Sequence, residues 1–386
     1  MLSHFGSFSI KNNYTFELVN TEEGLAALTT DWAILYEKVV PKNPFLTCDW
    51  SLAWREDLGA APSPFILLVW CKDELVGLAP LRLEKKWGLR LLRFFEDGRS
   101  DYLGFLVAPG HTDVARLLMD QLYEHAQDWD VLLLRKMSEL FVDMTSFHVS
   151  DHYRRVEIIA STAPYLSSKS DLNELCVSGP PELRRIKRKI RKFEREGGLV
   201  KRITGPDVAQ AAKNITAVEA NSWKAGTYAA RFQKVEELRT LERVLGAYGA
   251  RGEVEVWLAT LADEPIAYLL NFLMPERTCY YQGAYNNDYR RYSPGGILHF
   301  HAVERTWQEG PREYDLMTGD EDWKKGWANG ERVLKHIAVF KKTFRGYLAF
   351  SVLLGLRWYF RKFDYAHSVY GIWRDITNSI RRTGGV

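Results

Sequence analysis

Apolar residues between Phe65 and Leu134 fall into short continuous runs broken by polar turns. The segment FILLVWCKDELVGLAPLRLEKK reads as two strands joined by a tight turn at Lys72 to Glu74. Asp97 and Gly98 punctuate the chain before a third expected strand, Tyr102 to Val107. Val114, Leu117, Leu118, Leu122 and Tyr123 then recur at steps that put them on one face, which predicts an amphipathic helix from Val114 to Ala126. Asp130 to Leu134 follows as a short buried strand, giving the order β-β-β-α-β.

The second half repeats this order. Val254 to Leu261 and Ile266 to Leu273 flank the turn Ala262-Asp263-Glu264-Pro265, and Thr278 to Tyr285 supplies a third strand. Gly296 to Trp307 reads as a helix, and Tyr314 to Met317 as the strand after it. Two copies of one α/β (α+β) unit are implied by the order of elements rather than by repeated residues. Between the copies, Pro180-Pro181 opens a basic helix, 182–196. Its Leu183, Ile186, Ile190 and Phe193 form one apolar stripe, and Gly197-Gly198 ends it. The expected domains are 1–165, 166–345 and a C-terminal helical extension, 346–386.

Composition narrows the class. A chain of 386 residues is longer than one hydrophobic core usually supports, and 46% hydrophobic with 26% charged residues is ordinary for a globular protein. The charge balance, 52 − 49 = +3, leaves attraction to anions to local clusters. Cys48, Cys71, Cys176 and Cys279 are far apart and form no C-x-x-C pair, as expected of reduced thiols in a cytoplasm. The N-terminal stretch has neither a basic leader nor an apolar run of signal length, which argues against export. Tyr347 to Phe360 is strongly apolar but shorter than the roughly 20 residues a bilayer span needs. A docked C-terminal helix is the favoured reading; with Arg345, Arg357, Arg361 and Lys362 around it, peripheral contact of 347–360 with the inner face of a membrane is the other.

Candidate chemistry concentrates where the strand ending at Tyr285 gives way to Asn286-Asn287-Asp288-Tyr289-Arg290-Arg291-Tyr292-Ser293-Pro294-Gly295-Gly296. Two arginines precede a Pro-Gly-Gly helix start. The unpaired N–H groups of a first helical turn favour a phosphate, although Pro and Gly are also the usual punctuation of a plain turn. His299 and His301, two apart on a helix, point in different directions and do not share a metal. Ser293 lacks the glycine that a nucleophile elbow needs at position 291.

The turn resembles the pyrophosphate loop of GNAT N-acyltransferases, although Arg291-Tyr292-Ser293-Pro294-Gly295-Gly296 departs from the family's spacing. Four segments in order, Asp97-Gly98-Arg99-Ser100-Asp101-Tyr102, Glu219-Ala220-Asn221-Ser222-Trp223-Lys224, the turn at Tyr292 to Gly295, and Tyr314 to Lys324, resemble a narrower group. They look like the GNAT-like acetyltransferases associated with cellulose and exopolysaccharide biosynthesis (the CelD-like group). That group is similar in architecture to the Fem aminoacyltransferases, which are tandem GNAT folds. The resemblance covers about residues 15 to 345. It implies tandem GNAT-like domains, each a mixed twisted sheet flanked by helices.

It also implies direct attack of an amine or hydroxyl on an acyl-CoA (acetyl-CoA) thioester, with no metal and no permanently bound cofactor. Arg290, Arg291, Ser293, Gly295 and Gly296 are then expected to hold the donor's phosphates. Glu219, which shares a helix face with Ile215 and Trp223, is the leading candidate for the base, with Asp315 and Asp320 as competitors. Lys324 is expected to meet an anionic substrate or oxyanion, beside a wall made by Trp323 and Trp327. Tyr285 or Tyr281 is the candidate acid toward the departing thiolate. Asp101, Arg99, Trp223 and Trp323 are expected to line the acceptor's cleft. The acceptor is a small molecule or a saccharide of cell-surface polysaccharide. Two alternatives stand beside this: a Fem-like transferase fed by aminoacyl-tRNA through the basic helix, and an inactive scaffold of a polysaccharide synthase.

Overall fold

The computed structural model describes residues 10–351, except 12, 55–61, 87, 150, 223, 226–231 and 233–234. Trp223 and most of the run 347–360 therefore lie outside the described residues. Within them, the first half contains β2 (Tyr14–Val19), α1 (Glu22–Lys38), β3 (Ser63–Cys71), β4 (Glu74–Lys86), β5 (Leu89–Phe94), β6 (Leu106–Val107), α3 (Val114–Glu124) and β7 (Val131–Met137), with β1 (Ile10–Lys11) and the short α2 (Cys48–Ala53) at its margins. Then β8 (Tyr153–Ser167) leads through α4 (Leu172–Ser178) and α5 (Pro181–Arg195) to β9 (Leu199–Thr204), α6 (Ala211–Ala220) and α7 (Val235–Ala250). The second half continues with β10 (Val254–Leu261), β11 (Glu264–Met274), β12 (Arg277–Tyr285), α8 (Pro294–Glu309), β13 (Glu313–Asp315), α9 (Asp322–Lys325) and β14 (Gly330–Lys341).

All these strands join one mixed sheet, ordered β1-β2-β3-β4-β5-β7-β14-β8-β13-β12-β11-β10-β9, with β6 on β4. The expected α/β class is the observed one. In each half an antiparallel meander ends in a strand lying parallel to a later one, β5 beside β7 and β12 beside β13, with a helix as the crossover. Two long strands weld the halves. β14, from the end of the second half, lies between β7 and β8 and pairs with β8 from Gly330↔Tyr165 to Lys341↔Tyr153.

Local sequence explains the best-defined elements. Ala262 and Asp263, both at positive φ (51° and 64°), make the tight turn between β10 and β11. In α5 the apolar stripe Leu183, Ile186, Ile190 and Phe193 is buried, and Gly197 at φ 86° follows its end. Against expectation, Tyr102 to Val107 is not one strand: only Leu106–Val107 pairs with β4, and Leu103 makes a single bridge to Met137. Where the segment leaves strand pairing, Tyr102 gives its hydroxyl to Asp315 in the other half.

The second half is a sheet between two helical layers. On one face α6 and α7 pack Ile215, Val218, Leu241 and Leu245 against Tyr268, Leu270, Phe272 and Tyr281, joined by Phe45, Trp50 and Trp54 of the first half. On the other, α5 and α8 bury Ile186, Ile297, Phe300 and Val303 against Trp257, Leu269 and Tyr314. A helix over 344–351 turns Ala349 inward and leaves Phe344, Tyr347 and Leu348 exposed. No described helix is long and apolar enough to cross a membrane.

Candidate active site

The site is framed by β12. Its pairing with β13 lasts two positions, Thr278↔Tyr314 and Cys279↔Asp315. From Tyr280 to Tyr285 no described residue pairs with that edge, so β12 and β13 part there, as far as a single bridge between Ser222 and Asn286. At the same place the register against β11 slips: Leu270 faces Gln282 while Asn271 faces Tyr280, which leaves Tyr281 as a bulge. The bulge aims Tyr281 at the core under α6, whereas Tyr280 packs on the α8 side.

On the α6 side stands a buried polar cluster. Glu219 is fully enclosed; its Oε1 accepts from the Tyr268 hydroxyl (2.7 Å) and its Oε2 from the Phe232 N–H (3.3 Å). The Lys224 ammonium lies 3.6 Å from Glu219 and donates to Gln282 Oε1 at 2.7 Å. Sequence reasoning grouped Glu219 with Lys224 but had no signal for Gln282 or Tyr268, whose arrival depends on sheet register.

On the α8 side, Lys324 and His299 meet. Lys324 is buried, donates to the Thr318 carbonyl (2.6 Å), and lies 3.4 Å from Glu321. Gly319 makes room for it: at φ 141°, a Cβ there would sit 2.6 Å from Lys324 Nζ. The ammonium also sits 5.9 Å from the Tyr280 ring centroid and 5.8 Å from that of Trp323. His299, set aside in the sequence as no metal ligand, is buried between Tyr280, Trp323 and Trp327, with ring centroids 4.8, 5.0 and 5.6 Å away. Burial, and then the Lys324 charge, push its pKa down to about 3, so it is a neutral imidazole at physiological pH. The expected Trp323–Trp327 wall is thus split: Trp327 is buried, and Trp323 is 40% exposed beside the cleft.

The loop expected to hold phosphates adopts a 3-10 turn, Asn287–Tyr292, capped by the Asn286 side chain. Ser293 at φ 56° then swings the chain into α8, with Pro294 in its first turn and no side-chain cap. The N–H groups of Gly295 and Gly296 fall in the first turn of α8, where a helix has no intrahelical acceptor for them. The two glycines have different reasons. A Cβ at Gly295 would come only within 3.7 Å of Tyr285, whereas one at Gly296 would press to 3.0 Å on Ile186 of α5, so Gly296 serves helix packing. Arg290 is exposed. Arg291 is turned aside, bonding the Tyr292 hydroxyl and lying 3.6 Å from Glu196 at the end of α5.

The other expected residues divide. Asp315, a competitor for the base, is instead a pin between halves. It is wholly buried, accepts from Tyr102 (2.9 Å), the Met317 N–H (2.8 Å) and Arg332 (3.2 Å), and has no free oxygen to act with. Burial raises its pKa, against the pull of Arg332. Asp320 is exposed. Tyr285 stands beside Gly295 at the start of α8 rather than at the bulge, and Tyr281 is packed among Phe45, Trp50 and Phe272. Arg99 pairs with Glu237 of α7 (3.2 Å) over the Trp54 ring, and the Asp101 carbonyl accepts from Thr318 (3.0 Å), which brings the 97–102 segment against the Lys324 loop.

Comparison with known proteins supplies the class. Residues 182–325, from α5 to the end of α9, match the family described as an acetyltransferase (GNAT) domain. The chain is similar to the crystal structure of FemX, at 13% identity over 80% of this chain and 95% of that one, with a TM-score of 0.58. It is also similar to a conserved protein of unknown function from Bacteroides thetaiotaomicron, at 12% identity over 84% and 99% of the two chains, TM-score 0.52. A tandem GNAT protein from the clavulanic acid biosynthesis pathway aligns at 15% identity over 84% and 98%, TM-score 0.45. No curated protein has a matching sequence. The matched stretch defines a GNAT acetyltransferase domain within the chain, and the solved structures share its fold.

Proposed function

We propose that the chain is an acyl-CoA-dependent N- or O-acyltransferase whose donor lies in the cleft between β12 and β13. The coincidence of three features at one strand carries this reading: pairing to β13 that stops after Cys279, a bulge at Tyr281, and an uncapped α8 just beyond. The bulge frees backbone N–H groups to polarise a thioester carbonyl, and Gly295 with Arg290 meets the phosphates. Lys324 supplies positive charge beside the reacting carbonyl.

Glu219 keeps a role in this reading, but as a positioning carboxylate. It holds Lys224, which in turn holds Gln282 at the bulge. By the resemblance to the CelD-like group, the acceptor is a saccharide or related small molecule of cell-surface polysaccharide, entering where Arg99, Asp101 and Trp323 border the Lys324 loop. The domain division 1–165, 166–345 and 346–386 belongs to the same proposal, with β8 and β14 as the strands that cross it.

Acetyl-CoA titrated calorimetrically into the full chain is expected to bind saturably. Glu219→Gln is expected to cost roughly 10² in turnover while leaving donor affinity unchanged. Failure to bind any CoA thioester sinks the donor assignment. A second reading, an aminoacyl-tRNA donor, is favoured by one observation: Arg184, Arg185, Lys187, Arg188 and Arg191 form an exposed basic face on α5, whose Lys189 reaches the Arg291 carbonyl at the phosphate loop. That reading requires tRNA affinity that falls steeply with salt.

A further inference from the structure

A buried chain of hydrogen bonds runs along the α8 face of the sheet, from β10 to the His299 ring beside the cleft. The fully enclosed Glu255 carboxylate is held by Arg202 (2.7 Å) and lies 3.6 Å from Arg305. An ionised carboxylate only accepts, so the Asn271 group facing Glu255 Oε1 at 2.9 Å is its NH2. That fixes the Asn271 amide, whose oxygen then faces the Tyr314 hydroxyl at 3.4 Å. An amide oxygen cannot donate, and burial above all keeps Tyr314 a protonated phenol with one hydrogen to give. Given to Asn271, that hydrogen leaves the phenol oxygen to accept from His299 Nδ1, 3.0 Å away. His299 is then the Nδ1–H tautomer, with a lone pair on Nε2. Among the described residues Nε2 has no hydrogen-bond partner. Its ring lies among Tyr280, Trp323 and Lys324, the groups that border the cleft.

We propose that Glu255, Asn271 and Tyr314 set the polarity of this chain so that His299 presents a neutral Nε2 acceptor to an amide N–H of the acyl donor in the cleft. His299 is thus a ligand-binding residue; Glu255, Asn271 and Tyr314 are positioning residues that act through it. The ligand half of this inference rests on the acyl-CoA reading above, while the tautomer half does not. An acceptor-only imidazole is a contact that the backbone N–H groups at the bulge cannot make.

Two-bond 15N–1H spectra of the full chain labelled in histidine test both halves, with acetyl-CoA as the probe. The expected spectrum shows His299 as the Nδ1–H tautomer, with an unprotonated Nε2 that shifts upfield when acetyl-CoA is added. Tyr314→Phe is expected to release the tautomer, giving a mixed signal, with the fold checked by its melting temperature. His299→Leu is expected to weaken acetyl-CoA binding several-fold, and His299→Gln, whose amide oxygen can stand in for Nε2, to restore part of it. An Nε2–H tautomer in the wild-type spectrum overturns the proposal without any variant. Acetyl-CoA that binds without moving Nε2, or that binds His299→Leu as it binds the wild type, overturns the ligand half. Absence of acetyl-CoA binding by the wild type overturns the donor reading and that half with it, while the tautomer is still decided by the spectrum.

Discussion

The two halves fork the sheet in the same way and fill the fork differently. In the first, β5 runs parallel to β7 from Leu91↔Val131 to Arg93↔Leu133, and α3 is the crossover. Beyond that pairing the chain plugs its own gap. Arg93 makes a bidentate pair with the buried Asp97, Arg135 and Arg82 stand 3.7 and 3.8 Å from the same carboxylate, and the Leu103 N–H donates to the Lys136 carbonyl (3.0 Å). In the second half the corresponding gap, past Cys279 and Asp315, is bordered by Tyr280, His299, Trp323 and Lys324. The crossover helices differ too. α3 begins at Asp113, a carboxylate standing where a phosphate would bind, while α8 begins at Ser293 after two arginines. One topology has become a structural clamp in one copy and an opening in the other.

The largest expected effect breaks the clamp. Asp97→Asn removes the buried carboxylate shared by three guanidinium groups, leaving Glu84 as a counter-charge to Arg82 and Arg93, and should cost about 3–5 kcal/mol in unfolding free energy at neutral pH. Burial alone would raise the Asp97 carboxyl, but Arg93, Arg135 and Arg82 outweigh it and hold the group down at about 2. That is below the unfolded value of roughly 3.9. The stabilisation is therefore complete above pH ~4 and drains away as pH falls toward 2. Denaturant melts of wild type and variant at pH 7 and pH 3 should show the gap narrowing at the lower pH; a constant gap would contradict the assignment.

The opening is probed by Lys324→Met, with an expected loss of about 10²–10³ in kcat. The Thr318 carbonyl loses its donor as well, which costs roughly 1–3 kcal/mol of stability. Activity must therefore be measured on protein shown to be folded, by its melting curve, at the assay temperature. Turnover within a factor of a few of wild type would show that the cation serves the loop alone.

How much of this contrast the sequence disclosed depends on how local each cause is. β10, β11, β12 and α8 were legible because their punctuation is local: Ala262-Asp263 between two strands, and Pro294 with Gly310 at the ends of a helix. β8 and β14 were not, since Tyr153–Ser167 and Gly330–Lys341 are mixed in polarity and largely half-exposed, and only pairing with each other makes them strands. Lys324 and Glu219 were singled out by motif, and both lie buried beside β12. The burial of His299 beside the cleft had no local signal, since a histidine was weighed only as a metal ligand, and the bulge at Tyr281 had none because register cannot be seen without the neighbouring strand. The partners of Asp315 were hidden for a related reason: Tyr102, which bonds it, comes from more than two hundred residues away.

The smallest expected effect bears most directly on the two helix starts. Gly295→Asp would give α8 the acidic start that α3 has through Asp113. The site has room, since a Cβ there meets Tyr285 only at 3.7 Å, and a carboxylate in the first turn of a helix is itself favourable by about 0.3–1 kcal/mol. The fold should hold. A bound phosphate, however, would face a like charge, so acetyl-CoA affinity should fall about tenfold, or about 1.4 kcal/mol. Because the site is open to solvent, the deficit should shrink as salt is raised. The reciprocal change, Asp113→Asn in α3, removes the first half's carboxylate and should leave acetyl-CoA affinity as it was. Calorimetric titrations of both variants at low and high salt separate the cases: an unchanged Gly295→Asp affinity would remove the phosphate from α8, and a gain in Asp113→Asn would mean that the first fork binds an anion once its own charge is gone.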